Sequence, residues 1–242
     1  MSALFAGHLI MSSATAIYSL YRTLRPFRIG VYGPSLTGKT TLDQYLTVPG
    51  DMDPIPLEMR TMHPLDKRGN FRMPHSTRKQ VRLIGDRKSI SSCDLAGQEQ
   101  FRNLWVEDMI GRNVELVIYM IDDRALHSPH FLRDSVAGLQ YLTENMLGKR
   151  ISPALPRKIR KKARDYSPRL FCLMVNKVDM WWNEDANVLH SLNLLREHPI
   201  IAPYRESLKK IRKAGIRAEI EPISAMKGIN VERSMVRLIE KM

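Results

Sequence analysis

Cysteine is scarce in this chain of 242 residues, and acidic side chains are outnumbered by basic ones. The two cysteines, Cys93 and Cys172, lie far apart, each in an apolar run, so neither a disulfide framework nor a zinc site with Cys/His spacing is indicated. Both are expected to be buried small hydrophobic side chains in a reducing, cytosolic environment. The formal net charge of +13 favours an anionic partner, which is a nucleic acid, an acidic protein or a membrane face.

Charged residues are missing from the first 21 positions and then appear at Arg22, Arg25 and Arg28. This segment is moderately apolar, but His8 and several Ser and Thr residues interrupt it, which is weak for a spanning helix. The basic start of a cleaved signal peptide is also missing. Three interpretations stay open: an interfacial membrane helix, a helix docked on protein, or a true anchor with the arginines on the cytosolic side. We treat 1–25 as an N-terminal apolar helix or anchor and 26–242 as one domain.

Segments typical of strands and of helices alternate along that domain, and 43% of the chain is apolar, enough to bury a sizeable core. A helix is predicted to open after Gly38, and an amphipathic helix closes the chain over 229–242. This alternation predicts an α/β fold with a mostly parallel sheet and one antiparallel edge pair, joined as a hairpin at Gly85-Asp86. The predicted strands are 26–33, 78–84, 88–95, 115–122, 169–177 and 218–225.

Two stretches depart from the alternation. Residues 48–77 hold five prolines and little periodicity, which predicts a long irregular loop. Residues 149–169 hold nine basic residues against one acid, Asp165, and three prolines, which indicates an inserted basic segment. Such a charge run is either a solvated face or a docking surface for anionic lipid, nucleic acid or an acidic protein. Because Tyr166 is its only aromatic residue, a base-stacking platform is not expected.

The stretch GPSLTGKT, residues 33–40, lies directly between a predicted strand and a predicted helix. In this context the pattern of Gly, four residues and Gly-Lys-Thr indicates a phosphate-binding loop. Glycine lets the backbone wrap closely and point its N–H groups inward, and the helix N-terminus adds a favourable dipole. Lys39 is expected to reach the β- and γ-phosphates, and the Thr40 hydroxyl to ligate Mg²⁺.

The stretch DLAGQE, residues 94–99, follows at the end of another predicted strand. Asp94 is placed to hold a water molecule bound to Mg²⁺. Gly97 is free to turn its N–H toward a γ-phosphate, and Gln98 is placed to orient an attacking water. A tetrapeptide Asp-x-x-Gly is common, but at this distance after a phosphate loop it is strong support for a nucleotide site.

The stretch NKVD, residues 176–179, ends a third apolar strand and predicts a guanine-binding loop. The carboxylate of Asp179 accepts two hydrogen bonds from guanine, whereas adenine lacks both donors and would leave a buried carboxylate unpaired. The Lys177 stem is expected to lie on the base and Asn176 to tie this loop to the phosphate loop. In the stretch Ser-Ala-Met, residues 224–226 after the last strand, the Ala225 N–H is expected to meet the guanine carbonyl oxygen.

These four motifs in this order resemble the small GTPases of the Ras superfamily, and DLAGQEQFRNLW is similar to the Arf-like branch. The resemblance covers about residues 27–242. It implies a three-layer P-loop G domain with a six-stranded sheet and five helices, which binds GTP and GDP with Mg²⁺. It further implies Gln98 and Lys39 as catalytic residues and Thr40, Asp94 and Thr61 as metal-site residues. The nucleotide-binding set is Gly33, Ser35, Leu36, Thr37, Gly38, Lys39, Thr40, Thr41, Gly97, Asn176, Lys177, Asp179, Ser224, Ala225 and Met226.

The chain departs from the family pattern in the first switch loop, taken as 48–77. Counting back from the following strand lands near Arg72 rather than on a threonine, so Thr61 is the first candidate for the switch threonine, before Thr77 and Ser76. Ser35 stands where Ras-type loops often carry glycine, which does not exclude hydrolysis. Any of Arg60, Arg68 and Arg72 is a candidate internal arginine finger or a solvated arginine. Trp105 is expected to pack, and an exposed Trp105 would instead mark an effector surface.

The sequence therefore predicts a regulatory GTPase with slow, partner-stimulated hydrolysis, located in the cytoplasm, at the cytosolic face of a membrane or within a protein complex. Its expected partners are a guanine nucleotide, a protein effector or complex subunits, and an anionic membrane contacted through 1–25 and 149–169. One alternative is a structural GTP-holding subunit with little or no hydrolysis. A second is a GTPase that acts on nucleic acid, although no RNA-binding module is visible.

Overall fold

The computed structural model describes residues 27–47, 69–71, 90–92, 95, 97–182 and 194–242. The predicted N-terminal helix, the hairpin strand 78–84, Cys93, Asp94 and the switch candidates Thr61, Ser76 and Thr77 lie outside these ranges. The strands are β1 Phe27–Tyr32, β2 Gly69–Phe71, β3 Ile90–Ser92, β4 Leu116–Ile121, β5 Leu170–Val175 and β6 Arg217–Pro222. The α-helices are α1 Lys39–Thr47, α2 Arg102–Gly111, α3 Arg124–His127, α4 Pro129–Met146, α5 Arg157–Lys162, α6 Val178–Trp181, α7 Arg205–Lys213 and α8 Val231–Glu240, with 3₁₀ turns at Glu99–Phe101, Leu194–Glu197 and Pro199–Tyr204.

The sheet has the strand order β2-β3-β1-β4-β5-β6. Its body is four six-residue strands, β1, β4, β5 and β6, which pair in parallel. The α/β class and the parallel sheet are as predicted, but this body has four strands instead of six. The other two strands are three-residue segments: β3 pairs in parallel with β1, and β2 pairs antiparallel with β3.

The position of β2 corrects one sequence expectation. It lies at Gly69–Phe71, inside the stretch 48–77 that was predicted to be an irregular loop. Its register, with Asn70 opposite Ser91, shows that pairing with β3 defines it. Strand formation depends on the neighbouring strand more than on local propensity, which explains why three residues with a weak pattern were missed.

Both faces of the sheet are covered, which explains the uninterrupted apolar runs of β4 and β5, every residue of which is buried. Alternate residues of β4 point to opposite sides. Val117, Tyr119 and Ile121 pack with α2, α4 and α7, whereas Leu116, Ile118 and Met120 pack with α1 and α8. The result is the three-layer arrangement expected of the domain.

Aromatic side chains pack together on the side of the sheet covered by α2, α4 and α7. Trp105 is buried there and packs against Tyr32 and Tyr119. Tyr119 donates a 2.7 Å hydrogen bond to the Ser135 carbonyl of α4, and a side chain at Gly138 would collide with its hydroxyl. Trp105 is therefore a packing residue, and the alternative of an exposed effector-binding Trp105 is wrong.

The basic segment 149–169 is partly helical. Its centre is α5, and three of its residues, Leu155, Ala163 and Tyr166, belong to the same buried cluster as α2. No helix within the described ranges is long and apolar enough to cross a membrane.

Candidate nucleotide-binding site

Loops that follow β1, β4, β5 and β6 meet at the carboxyl edge of the parallel strands, where open α/β sheets bind ligands. The residues predicted to bind phosphate and guanine lie in three of these loops. The structure thus brings together segments separated by almost 200 positions, residues 33–40, 97–98, 176–179 and 224–226.

The phosphate loop, residues 33–38, runs from β1 into α1. Leu36 and Gly38 adopt positive φ angles of 65° and 92°, and such left-handed residues turn successive N–H groups to one side, forming an anion nest. A side chain at Gly38 would collide with the Asn176 amide, so the close approach of the two loops requires glycine here. Ser35 is half-buried, and Leu36 is exposed at the tip.

The Lys39 side chain folds back over this loop. Its ammonium donates to the carbonyl oxygens of Gly33 at 2.9 Å and Pro34 at 2.8 Å, although the residue is buried. Thr37 donates from its hydroxyl to the same Pro34 carbonyl at 3.1 Å. The loop therefore holds one positive charge beside its N–H groups, which is what a polyphosphate needs. Thr40 and Thr41 lie half-buried in the first turn of α1.

Asn176 is the junction between three loops. Its amide Nδ2 donates to the Thr37 carbonyl at 2.8 Å, and its Oδ1 accepts from the Ala225 N–H at 2.9 Å. Its backbone N–H donates to Ile121 at the end of β4. The Asn176 side chain is thus placed where the sequence suggested, but the Ala225 N–H already has a partner and would have to share or exchange it to meet a guanine oxygen.

The guanine loop continues into α6. Lys177 has a left-handed backbone with φ of 58°, which redirects the chain after β5. The Asp179 side chain is 16% exposed and pairs with Lys227 at 3.0 Å. Partial burial raises its pKa, but hydrogen bonds from Ser224 and Lys227 outweigh this, so the pKa of Asp179 lies below its ordinary value. An acceptor that is ionised at neutral pH therefore faces the loop 224–226, in which Met226 is exposed.

A fully buried carboxylate, Asp122, lies between the phosphate and guanine loops and was missed by sequence reasoning. It binds two cations: the Lys177 ammonium at 2.7 Å and the Arg124 guanidinium at 2.9 Å. Arg124 also donates to the Ser35 carbonyl at 2.8 Å and lies over the Phe131 ring. One charge thus supports both loops. The available signal was the run of two acids and an arginine directly after the β4 strand pattern.

The segment after β3 lies against the phosphate loop. A side chain at Gly97 would collide with the backbone of Pro34 and Ser35, so the close contact needs glycine. Gln98 is half-buried and begins the 3₁₀ turn into α2, where its carbonyl accepts from the Phe101 N–H at 3.0 Å. Gly97 therefore lies against the phosphate loop and Gln98 follows it in the chain, whereas their roles toward γ-phosphate and water stay predictions.

The residues present fit a guanine nucleotide. The backbone nest and Lys39 match a polyphosphate, and the ionised Asp179 matches the two guanine donors. Of the predicted Mg²⁺-site residues, Thr40 alone lies within the described ranges. No group of three or more His, Cys, Asp or Glu in those ranges is arranged to hold a metal ion.

No protein-family model matches the chain, and no curated protein matches it in sequence. Among solved structures it is similar to the bacterial selenocysteine-specific elongation factor EF-Sec, with a TM-score of 0.51 and 17% identity over 90% of this chain and 29% of that chain. It is also similar to the Arl6 (BBS3) small GTPase from Trypanosoma brucei with a bound nucleotide analogue, GppNp, with a TM-score of 0.51 and 16% identity over 89% of this chain and 96% of that chain. The chain thus spans less than a third of the elongation factor and nearly all of the small GTPase. It has the P-loop G-domain fold that these two structures share.

Proposed function

We propose that this protein binds GTP and GDP with Mg²⁺ and hydrolyses GTP slowly, as a regulatory switch in the cytoplasm, at a membrane or within a protein complex. The observation that carries the proposal is the Asn176 junction, which joins the phosphate loop at Thr37 to the loop of Ala225. A nucleotide that spans both loops is held at its two ends by one rigid frame.

Phosphate binding is assigned to the nest of residues 33–38, with Lys39 supplying the positive charge. Thr40 and Asp94 would hold Mg²⁺, with Thr61 closing on it from the first switch loop. When bound, Mg²⁺ neutralises charge that builds up on the phosphates during hydrolysis. Arg124 acts behind the loop, since it donates to the Ser35 carbonyl while Asp122 holds its guanidinium.

Base recognition is assigned to Asp179, supported by Ser224 and Lys227. An ionised carboxylate accepts from both guanine donors and is left unpaired by adenine, a loss that discriminates by orders of magnitude. The Lys177 ammonium is held by Asp122, and its aliphatic stem is assigned to lie along the base.

Hydrolysis is assigned to Gln98, which orients the attacking water, with Gly97 responding to the γ-phosphate. These two residues belong to the second segment that is expected to change conformation with the nucleotide, beside the first switch loop of 48–77. Slow turnover is expected because phosphoryl transfer depends on positioned charges, and partners commonly complete the set.

Single-turnover GTP hydrolysis by the purified protein, beside Gln98→Leu, tests the proposal. Turnover that collapses in the variant while GTP affinity is retained supports a working switch. Tight GTP binding with no turnover in either protein, also after addition of cell extract as a source of activator, supports the structural GTP-holding subunit instead. Absence of GTP binding contradicts both.

A further inference from the structure

The segment 149–169 presents its cations on one side of a packed element. Leu155, Ala163 and Tyr166 are buried, and Ile159 packs against the same cluster. The positions between them are exposed. All nine basic residues of the segment are exposed. Lys162 and Arg169 have partners within the fold, and we call the other seven the basic surface: Lys149, Arg150, Arg157, Lys158, Arg160, Lys161 and Arg164.

Hydrogen bonds fix this segment to the rest of the fold. The Lys162 ammonium donates to the Gly111 carbonyl at the end of α2 at 2.9 Å. The Tyr166 hydroxyl donates to the Val114 carbonyl at 2.9 Å, and the Ser152 N–H donates to the Asn145 side chain at 3.0 Å. The basic surface is therefore part of a folded element with a defined inner face.

Charge on this surface is not neutralised within the described part of the chain. None of its seven members forms an ion pair or a side-chain hydrogen bond there, whereas the nearby Arg169 lies 3.6 Å from Glu115. The segment has a single acid, Asp165. Concentrated charge of one sign repels itself and attracts an external anion over several ångströms.

The basic surface lies at the amino edge of the sheet, opposite the nucleotide loops. Two backbone hydrogen bonds bring the starts of three strands together there: Arg169 N–H to the Glu115 carbonyl, and Glu115 N–H to the Arg28 carbonyl. In the sequence, residues 1–26 precede β1, which begins at Phe27. Their first 21 positions are uncharged, and Arg22 and Arg25 follow.

We propose that the amino edge docks on an anionic lipid membrane through this basic surface. A single weak anchor gives marginal membrane binding, and the uncharged stretch 1–21 of the sequence is a second membrane-binding signal in the same chain. Nucleic acid is the less favoured partner, because Tyr166, the only aromatic residue of 149–169, is buried and cannot stack on bases. Docking in this orientation leaves the carboxyl edge free for nucleotide and partners, and it does not depend on the proposed GTPase activity.

The test is sedimentation of the full chain with vesicles of phosphatidylcholine alone or mixed with phosphatidylserine, over a salt series. We expect binding that requires phosphatidylserine and falls as salt rises. The double variant Lys158→Glu/Lys161→Glu is expected to weaken binding by about tenfold or more. The matched control is Arg133→Glu/Lys209→Glu, which has the same charge change at exposed positions of α4 and α7 and is expected to change binding by less than about twofold.

Three results would overturn the proposal: equal weakening in the control, equal binding to vesicles without phosphatidylserine, or tighter binding to a short RNA than to vesicles in the same buffer. GTP affinity, measured on every variant, separates this proposal from the proposed function, since the basic surface is remote from the nucleotide loops. If circular dichroism shows that the first variant is unfolded, Arg160→Gln/Arg164→Gln serves as the second test with the same expected direction.

Discussion

The two edges of the sheet treat charge in opposite ways. At the carboxyl edge Asp122 is fully buried and Asp179 is partly buried, and each has a cationic partner within 3.0 Å. At the amino edge the seven cations of the basic surface are exposed and lack partners in the described part of the chain. Buried pairs fix geometry, because an unpaired buried charge is costly. Exposed unpaired charges fix no geometry but attract a distant surface. Lysine and arginine side chains thus help to build a specific site at one edge, and form a general electrostatic surface at the other.

The largest effect is expected when the buried carboxylate of the carboxyl edge, Asp122, is removed. Asp122→Ala leaves the Arg124 and Lys177 side chains without their shared carboxylate. We expect the free energy of unfolding to fall by about 3 kcal/mol, the lower end for a broken buried pair, because both cations are 31% exposed. Urea unfolding monitors the change.

The exposed acid of the amino edge provides the control. Asp165→Ala is expected to change the free energy of unfolding by no more than about 0.5 kcal/mol, as for most surface substitutions. Equal losses in Asp122→Ala and Asp165→Ala would contradict the contrast between the edges.

A smaller effect is expected from Lys39→Ala, which removes the ammonium from the phosphate loop. GTP affinity should fall by about 100-fold, as for the loss of a charge-assisted hydrogen bond. Titration calorimetry measures this, with Lys209→Ala on the surface of α7 as the control. A tenfold weaker GTP complex in the control would show that net charge contributes as much as the loop, and an unchanged affinity in Lys39→Ala would contradict the role of Lys39.

The smallest effect concerns acid. The pKa of Asp179 is depressed in the folded protein, so its stabilising contribution is complete above its ordinary value of 3.8 and is lost as pH falls through the lower folded value. Asp179→Asn should therefore reduce the stability difference between neutral and strongly acidic pH. Thermal unfolding across that pH range measures the stability difference. If the variant loses as much stability in acid as the wild type does, Asp179 does not contribute.

Local sequence patterns predicted the parts of this fold that depend on neighbours along the chain. The phosphate loop, the buried strands β4 and β5 and the closing helix α8 were recognised because glycine placement and apolar runs are local signals. Asn176 was recognised in the same way, from a motif at the end of a strand.

Apart from the contact of Asn176 with the phosphate loop, contacts between distant segments were not predicted. Arg124 reaches Ser35 across 89 positions, and the Asn176 side chain occupies the Ala225 N–H across 49 positions. Neither partner choice follows from a local pattern, because it depends on which loops the strand order brings together. β2 was missed for the same reason, since its pairing with β3 defines it.

The most direct test of the account is the choice of base. Equilibrium binding of GTP, ATP and XTP should be measured with the wild-type protein and with Asp179→Asn in the presence of Mg²⁺. The account predicts that the wild type binds GTP and discriminates against ATP by orders of magnitude. It also predicts that Asp179→Asn loses GTP and gains XTP, whose second carbonyl accepts from the new amide. Equal binding of GTP and ATP by the wild type, or GTP binding that Asp179→Asn leaves unchanged, would contradict it.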